Sequence, residues 1–455
     1  MDNKTIAAIS TPFGTGGIGL VRMSGPDSHI IAQQFFKGYA GRNIAQSPGY
    51  TGLLGRIFDQ AGDVDEAIAF VYKAPKSYTG EDIVEFSCHG GVWILQRVLR
   101  LCLENGAEPA GPGEFTKRAF LNGKMDLAQA EAVVNLINAQ ADSAGRAALA
   151  ARDGALSTKL KGIVENLVYQ SALLAAWSDD PDEDEGMVTA EGMALALRDI
   201  CGEIGSLLES YDQGRMIYEG IHTVIAGKPN VGKSTLMNVL SGTQRSIVTE
   251  IPGTTRDTVE ETIRLGSVVL RLYDTAGLRQ TADYVEAIGV ARAERKIEEA
   301  QLILAVFDSS QPLDDEDNRF LKRLVGRPVV AVINKTDLPN LLDVAKINEI
   351  VEDCILISAK EEDGLKELEN AVKRRMNIYQ LDTSAPLLAN ERQKKLMDRA
   401  FESLEQAIQD IGEGVTLDAV NVEIDDALDV LLAITGEKVT DRVIDEVFSK
   451  FCIGK

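Results

Sequence analysis

The sequence predicts a multidomain chain: an N-terminal α+β domain, a helical bundle domain, and a mostly parallel α/β domain inserted into that bundle. Three textures carry this reading. The first 120 or so residues are rich in Gly and Thr around short β-like runs. From about Leu121 apolar residues recur every three or four positions, and from Gly220 to about Tyr379 short apolar strands alternate with helices. At 455 residues the chain is also too long for one ordinary core. The boundaries so read are 1–120, 121–216, 217–379 and 380–455, the second and fourth being two parts of one helical domain.

In the first domain the β-like runs are Thr5–Ser10, Ile18–Met23, Glu66–Tyr72 and Ile83–Ser87, and Val92–Glu104 reads as a helix after Gly90-Gly91. In the second, Leu127, Ala130, Val134, Ile137, Ala141, Ala144 and Ala148 hold helical spacing with Ala at close-packing positions. Leu160, Val164, Leu167, Ser171 and Leu174 continue it. The run Asp179-Asp180-Pro181-Asp182-Glu183-Asp184-Glu185 after Trp177 breaks the pattern as a solvated loop, and Met193 to Tyr211 resumes it. Ala389 to Lys455 is helical again, with Gly412 and Gly436 as expected breaks or caps. An insertion requires the two ends of the α/β domain to lie close together.

Composition excludes several classes. No stretch reaches the roughly 18–20 apolar residues of a membrane span, and Met1 to Ala8 lacks the pattern of a secretory leader. Cys88, Cys102, Cys201, Cys354 and Cys452 form no CxxC pair, and the chain has 3 histidines, so neither a disulfide framework nor a Cys/His zinc site is indicated. A cytoplasmic protein is expected. The formal charge of −23 argues against non-specific nucleic-acid binding by the whole surface, though not against a local patch or a shared partner.

Four motifs carry the chemistry, each after a strand. Gly227-Lys228-Pro229-Asn230-Val231-Gly232-Lys233-Ser234, followed by Thr235, fits GxxxxGK[ST] after the apolar run Ile221–Ala226. Its N–H groups can surround a β-phosphate, Lys233 can bridge β- and γ-phosphates, and the Ser234 hydroxyl can ligate Mg²⁺. Asp274-Thr275-Ala276-Gly277 ends Val268–Tyr273, with Asp274 near the metal and the Gly277 N–H near the γ-phosphate. Asn334-Lys335-Thr336-Asp337 ends Val329–Ile333, and Asp337 can accept both N–H donors of the guanine Watson–Crick edge. Ser358-Ala359-Lys360 ends Ile355–Ile357 and backs the guanine O6. Together these specify GTP and a Ras-like P-loop G domain. Between the first two lies Thr249-Glu250-Ile251-Pro252-Gly253-Thr254-Thr255-Arg256-Asp257, where Thr255 is expected to give Mg²⁺ a second hydroxyl. After Gly277 stands Leu278, which cannot orient the attacking water as a glutamine does. Hydrolysis is then either very slow or assisted by a residue and a cation from elsewhere, and the charged stretch Arg279 to Arg295 offers candidates.

The P-loop asparagine, the GTT-RD stretch, DTAGLR, the run Gly113–Lys124 and the terminal Cys452-Ile453-Gly454-Lys455 closely resemble the MnmE (TrmE) family of bacterial tRNA-modification GTPases, within the TrmE-Era-EngA-like GTPases. The likeness covers essentially the whole chain. It implies a homodimer formed through the N-terminal domain and G domains that meet in the GTP state. It implies K⁺ beside the phosphates, held by Asn230, backbone oxygens of Thr249 and Ile251, and Thr254. It puts Glu286 in the place of the missing glutamine. It implies a tetrahydrofolate derivative, 5,10-methylene-tetrahydrofolate or a 5-formyl analogue, contacted by Arg22, Glu85, Lys124 and Lys455. It implies a requirement for Cys452, whose role as nucleophile, proton-transfer group or packing residue stays open. The implied reaction, with the FAD-dependent protein MnmG (GidA) in a heterotetramer, installs an aminomethyl or carboxymethylaminomethyl group at C5 of the wobble uridine (U34) of certain tRNAs. The resemblance puts flavin on the partner, and no GxGxxG fingerprint is present here. Two other classes share the motifs. A ribosome-assembly GTPase brings a basic RNA-binding domain, which is not visible here, and a regulatory switch would use the N-terminal domain only to dimerise.

Overall fold

The computed structural model describes residues 4–179, 189–242, 261–272, 300–378 and 382–455. The chain forms two compact units. The first joins Met1–Val134 to Leu428–Lys455, and the second is Asn135–Ala427.

The first unit is built on strands β1 (Ile6–Ile9), β2 (Ile18–Ser24), β3 (Phe36–Gly38), β4 (Thr51–Asp59), β5 (Gly62–Tyr72), β6 (Ile83–His89) and β7 (Glu108–Pro109). They form one sheet in the order β3-β4-β5-β6-β2-β1-β7, antiparallel except where β1 meets β7. Period-two alternation sorts the side chains. Val21, Met23, Phe86 and Cys88 turn to the face covered by helices Ser28–Phe35 and Val92–Glu104, where Phe35, Leu95, Val98 and Cys102 complete a core. On the opposite face Ile6 and Ala8 are covered by Phe115 from the helix Glu114–Leu121. The segment after Leu428 closes the unit: Phe448 and Phe451 pack with Phe120 and Leu127.

Periodicity alone does not single out β3 or β4. Two glycines fall within Thr51-Gly52-Leu53-Leu54-Gly55, and a Cβ at Gly55 would overlap the Phe36 ring and the Lys37 carbonyl. This glycine serves a close strand approach rather than a bend.

In the second unit the long helices Ala155–Asp179, Ala190–Glu219 and Glu391–Glu413 pack together, with Leu197, Ile204, Leu207, Met397, Ala400 and Leu404 buried. Gly412 lies inside its helix. The cap is Gly414, at φ 75°, because only that residue adopts the left-handed geometry that ends the helix. Gly436, at φ 91°, does follow the helix Leu417–Thr435 as expected. Where the chain enters and leaves the α/β region, Ile217 and Leu387 share a small core with Ala144 and Ala147.

That region is a six-stranded sheet of β8 (Ile221–Ala226), β9 (Glu261–Leu265), β10 (Val268–Leu272), β11 (Leu302–Asp308), β12 (Val329–Asn334) and β13 (Asp353–Leu356), ordered β13-β12-β11-β8-β10-β9. All neighbours are parallel except the β9–β10 pair. β11 and β12 read as unbroken apolar runs because helices cover both faces of the sheet. The four motif loops follow β8, β10, β12 and β13, and three of the four are within the described residues. Among the described residues no helix is long and apolar enough to cross a membrane.

Candidate functional site

The loop after β8 is shaped by three left-handed residues. Gly227, at φ 147°, lies so close to Val306 of β11 that a Cβ would overlap its carbonyl oxygen. Asn230, at φ 66°, is of a type that tolerates this region. Gly232, at φ 97°, packs against Asn334, and a Cβ there would overlap Nδ2. The helix Lys233–Gly242 then starts with its first-turn N–H groups turned back toward the loop, while Leu236, Met237 and Leu240 bury its other side. Ser234 and Thr235 stand exposed on the first turn.

Lys233 is poised for an anion. Its Nζ donates to the carbonyl oxygens of Gly227 (2.7 Å) and Lys228 (2.5 Å). Burial lowers its pKa, against a smaller opposing pull from Glu316. A partly desolvated ammonium whose partners among the described residues are carbonyl dipoles gains most from a phosphate. Lys228, one turn of the loop earlier, is committed elsewhere. Its Nζ lies 2.7 Å from both Asp314 Oδ2 and Asp317 Oδ2. Those two carboxylates also form the capping box of the helix Asp315–Leu324, so one lysine ties the P-loop to a helix start. Bonding to this lysine takes the Asp314 carboxyl down to about 2.

The residues read as guanine contacts are joined to the P-loop by Asn334. Its Nδ2 donates to the Val231 carbonyl (3.0 Å), and its Oδ1 accepts from the Ala359 N–H (3.0 Å). It is 2% exposed, so both bonds are shielded from water. Asp337 is exposed, with Oδ1 accepting from Ser358 Oγ at 2.8 Å, and Lys360 is exposed beside it. Lys335, at φ 66°, reaches Asp308 Oδ2 at 2.6 Å. Between the P-loop and this motif is a cavity of about 340 Å³ lined by Asn230, Val231, Asp308 and Lys335 among others. Thr249 to Thr255, Asp274 to Gly277 and Glu286 lie outside the described residues. Of the expected Mg²⁺ pair this leaves Ser234, and of the K⁺ set Asn230.

A second cluster sits in the first unit. β2 and β6 set Arg22 opposite Glu85, and Nε meets Oε1 at 2.6 Å with both side chains mostly buried. The Arg22 guanidinium lies 5.4 Å from the Tyr78 ring centre and 5.5 Å from that of Phe115. The C-terminal residues dock beside them. Ser10 Oγ donates to Gly454 O (3.0 Å), Phe115 N to Lys455 O (3.2 Å) and Gly113 N to Cys452 O (3.3 Å). Gly454, at φ 95°, presses on Ile9 so closely that no side chain fits. Lys455 has a lowered pKa, first from burial and then from Arg22, with Glu85 opposing. Two cations, one carboxylate and aromatic walls suit a flat heterocycle with acceptor and donor edges and an anionic tail. Lys124 is exposed and its Nζ donates to Pro75 O (3.1 Å). Cys452 is exposed, whereas burial pushes Cys88 up to about 12.

Sequence motifs did not point to Asp308, Ser309 or Ser10, and Lys228 fills only an unspecified position of the P-loop pattern. For Asp308 and Ser309 the signal lies in position, at the end of a strand beside the one that carries Asn334.

Residues 5–124 match the family model described as "GTP-binding protein TrmE N-terminus", and residues 127–452 the one described as "MnmE helical domain". The chain is 42% identical over 459 residues to the tRNA modification GTPase MnmE of Acetivibrio thermocellus, with 99% of each covered. It is 42% identical over 468 residues to that of Heliobacterium modesticaldum, with 100% of each covered. Among solved structures, Aquifex aeolicus Era bound to GDP.AlF4- is similar at 27% identity over 40% of this chain and 66% of that chain, with a TM-score of 0.28.

Proposed function

The chain belongs to the MnmE (TrmE) family of tRNA-modification GTPases, and from that premise we propose a K⁺-dependent GTP hydrolysis coupled to modification of C5 of the wobble uridine (U34) of certain tRNAs. GTP hydrolysis in the service of tRNA modification is the activity of this family. The finer reading adds a tetrahydrofolate-derived carbon, an aminomethyl or carboxymethylaminomethyl product, a homodimer, and an FAD-dependent partner in a heterotetramer.

The observation that carries the GTP reading is the bridge made by Asn334, which locks the P-loop to the guanine-facing loops with two buried bonds. Lys233, partly desolvated and held by two loop carbonyls, receives the β- and γ-phosphates. Asp337 presents a carboxylate to the guanine edge, with Ser358 fixing one of its oxygens. Ser234 on the first helical turn suits Mg²⁺ together with Thr255, and Asn230 suits K⁺ together with Thr249, Ile251 and Thr254. Bound there, K⁺ supplies positive charge where other GTPases use an arginine finger. Glu286 is the residue we assign to orienting water.

In the first unit the Arg22–Glu85 pair and the half-buried Lys455 support a reduced folate as the one-carbon donor, with Glu85 taking the N–H edge of the pterin and the cations its acceptors or glutamyl tail. Lys124, exposed and bonded by one of its three donors to the Pro75 carbonyl, has donors left for this set. Cys452 stands three residues from Lys455, on the docked segment.

The test is the initial GTP hydrolysis rate in K⁺ and in Na⁺ at matched ionic strength, for the parent and for Asn230→Ala. A rate high only in K⁺ and reduced in the variant supports the proposal. Equal slow rates in both salts refute the K⁺ mechanism and favour a switch that waits for an outside activator.

A further inference from the structure

We propose that the end of β11, Asp308-Ser309-Ser310, is the positioning element of the guanine-recognition loop, with Ser309 fixing its backbone and Asp308 its lysine. The proposal rests on the reading of Asn334–Asp337 as the guanine motif. None of the three residues belongs to a nucleotide motif.

Lys335 holds φ 66°, in a region that costs a residue with a side chain appreciable free energy. Something must hold it there, and β11 supplies it. The Ser309 N–H donates to Asn334 O at 2.8 Å, and the Ser309 hydroxyl donates to Lys335 O at 2.8 Å. Ser309 is 1% exposed, so no water competes for either bond. The two carbonyls it engages are those of the residues that carry the bridge to the P-loop and the lysine of the motif.

The side chain of Lys335 is set by the same strand end. Its Nζ meets Asp308 Oδ2 at 2.6 Å, while Asp308 Oδ1 accepts from Ser310 N (2.9 Å) and Ser310 Oγ (2.7 Å). The carboxylate is therefore locked by its own turn before it holds the lysine. The stem of Lys335 is thus anchored at its backbone by Ser309 and at its head by Asp308, and both Lys335 and Asp308 line the cavity beside the P-loop. Lys228 lines the same cavity but is paired with Asp314 and Asp317, so it does not compete for Asp308.

The experiment uses the full chain and fluorescent mant-GDP, read as equilibrium Kd and as dissociation rate, for the parent, Ser309→Ala, Ser309→Thr and Asp308→Asn. Loss of the hydroxyl bond at Ser309, or of the carboxylate charge that holds Lys335 at Asp308, is expected to raise Kd about tenfold, mostly through faster release. Ser309→Thr, which keeps the hydroxyl, is expected within about twofold of the parent. Melting of the nucleotide-free proteins runs alongside. A lowered melting temperature with unchanged Kd in both Ser309→Ala and Asp308→Asn would mean a merely structural role and overturn the proposal. If Asp308→Asn does not fold, the Ser309 pair decides alone. Asp337→Asn with mant-GDP and mant-XDP separates the two readings. A switch toward xanthine upholds the guanine motif, so that unaffected Ser309 and Asp308 variants then refute the positioning role alone. An unchanged preference for guanine refutes the motif reading itself and this proposal with it.

Discussion

Replacing Gly232 by alanine adds one methyl group and is expected to uncouple the P-loop from the guanine loop. Two costs arise. An alanine at φ 97° pays roughly 1–2 kcal/mol for a backbone that suits glycine. The new Cβ also overlaps Asn334 Nδ2, so the amide must swing away. That breaks its bonds to the Val231 carbonyl and the Ala359 N–H, both 3.0 Å long and both buried. Each is worth about 1–1.5 kcal/mol, and more when a buried partner is left unsatisfied. The total, about 3–5 kcal/mol, corresponds to roughly a hundred- to several-thousandfold weaker GDP binding if it falls on the liganded state. Isothermal titration with GDP checks the size. A double-mutant cycle with Asn334→Ala checks the cause. If the overlap with the amide is the reason, Gly232→Ala costs little more than its backbone term once Asn334 is already alanine, about 1–2 kcal/mol. Fully additive losses, or GDP binding by Gly232→Ala within threefold of the parent, would refute the reasoning.

Lys228→Met removes both ion pairs to the capping box and leaves Asp317, 5% exposed, without its cation; urea unfolding is expected to show a loss of about 2 kcal/mol, largely restored in Lys228→Arg. Lys455 has a pKa below its usual 10.5, so the folded state binds fewer protons than the unfolded one between the lowered value and 10.5. The penalty for its charge is present below that window and disappears as pH rises through it. Affinity for 5-formyl-tetrahydrofolate, measured by titration calorimetry, is therefore expected to fall across the same window, and Lys455→Met should bind about tenfold more weakly at neutral pH with a flatter profile. Native-state labelling with a maleimide at neutral pH is expected to give one fast adduct, at Cys452, because Cys88 and Cys102 are buried with raised pKa values and Cys201 and Cys354 are raised to about 11; mass spectrometry of peptides reads the order.

The motifs were legible because each is contiguous and each follows a strand whose apolar run is equally contiguous. Gly227, Gly232 and Asn230 announce a phosphate loop in the sequence itself, and the structure gives each of them positive φ. The helix Val92–Glu104 was readable to its ends since its buried residues Leu95, Val98, Leu101 and Cys102 repeat at helical spacing. What stayed hidden depends on neighbours far along the chain. Asp308 looks like any strand-ending acid until β12 is laid beside β11 and brings Lys335 to it. Ser10 acquires meaning only when Gly454 docks against it. Gly412 misled by sitting inside a helix, where local composition suggests a break.

The first compact unit is assembled from two stretches separated by roughly 300 residues of the second, and this sets a clock on its synthesis. At bacterial elongation rates of about 5–20 residues per second, the interval between Val134 and Leu428 leaving the ribosome is roughly 15–60 s. Throughout it the apolar surface of Phe120 and Leu127 waits for Phe448 and Phe451, and the groove along Ile9 and Ser10 waits for Gly454. The nascent N-terminal sheet thus keeps apolar surface exposed for longer than its size suggests. A message cut short before Leu428 yields a product whose GTP-binding strands are all present and whose first domain is never sealed.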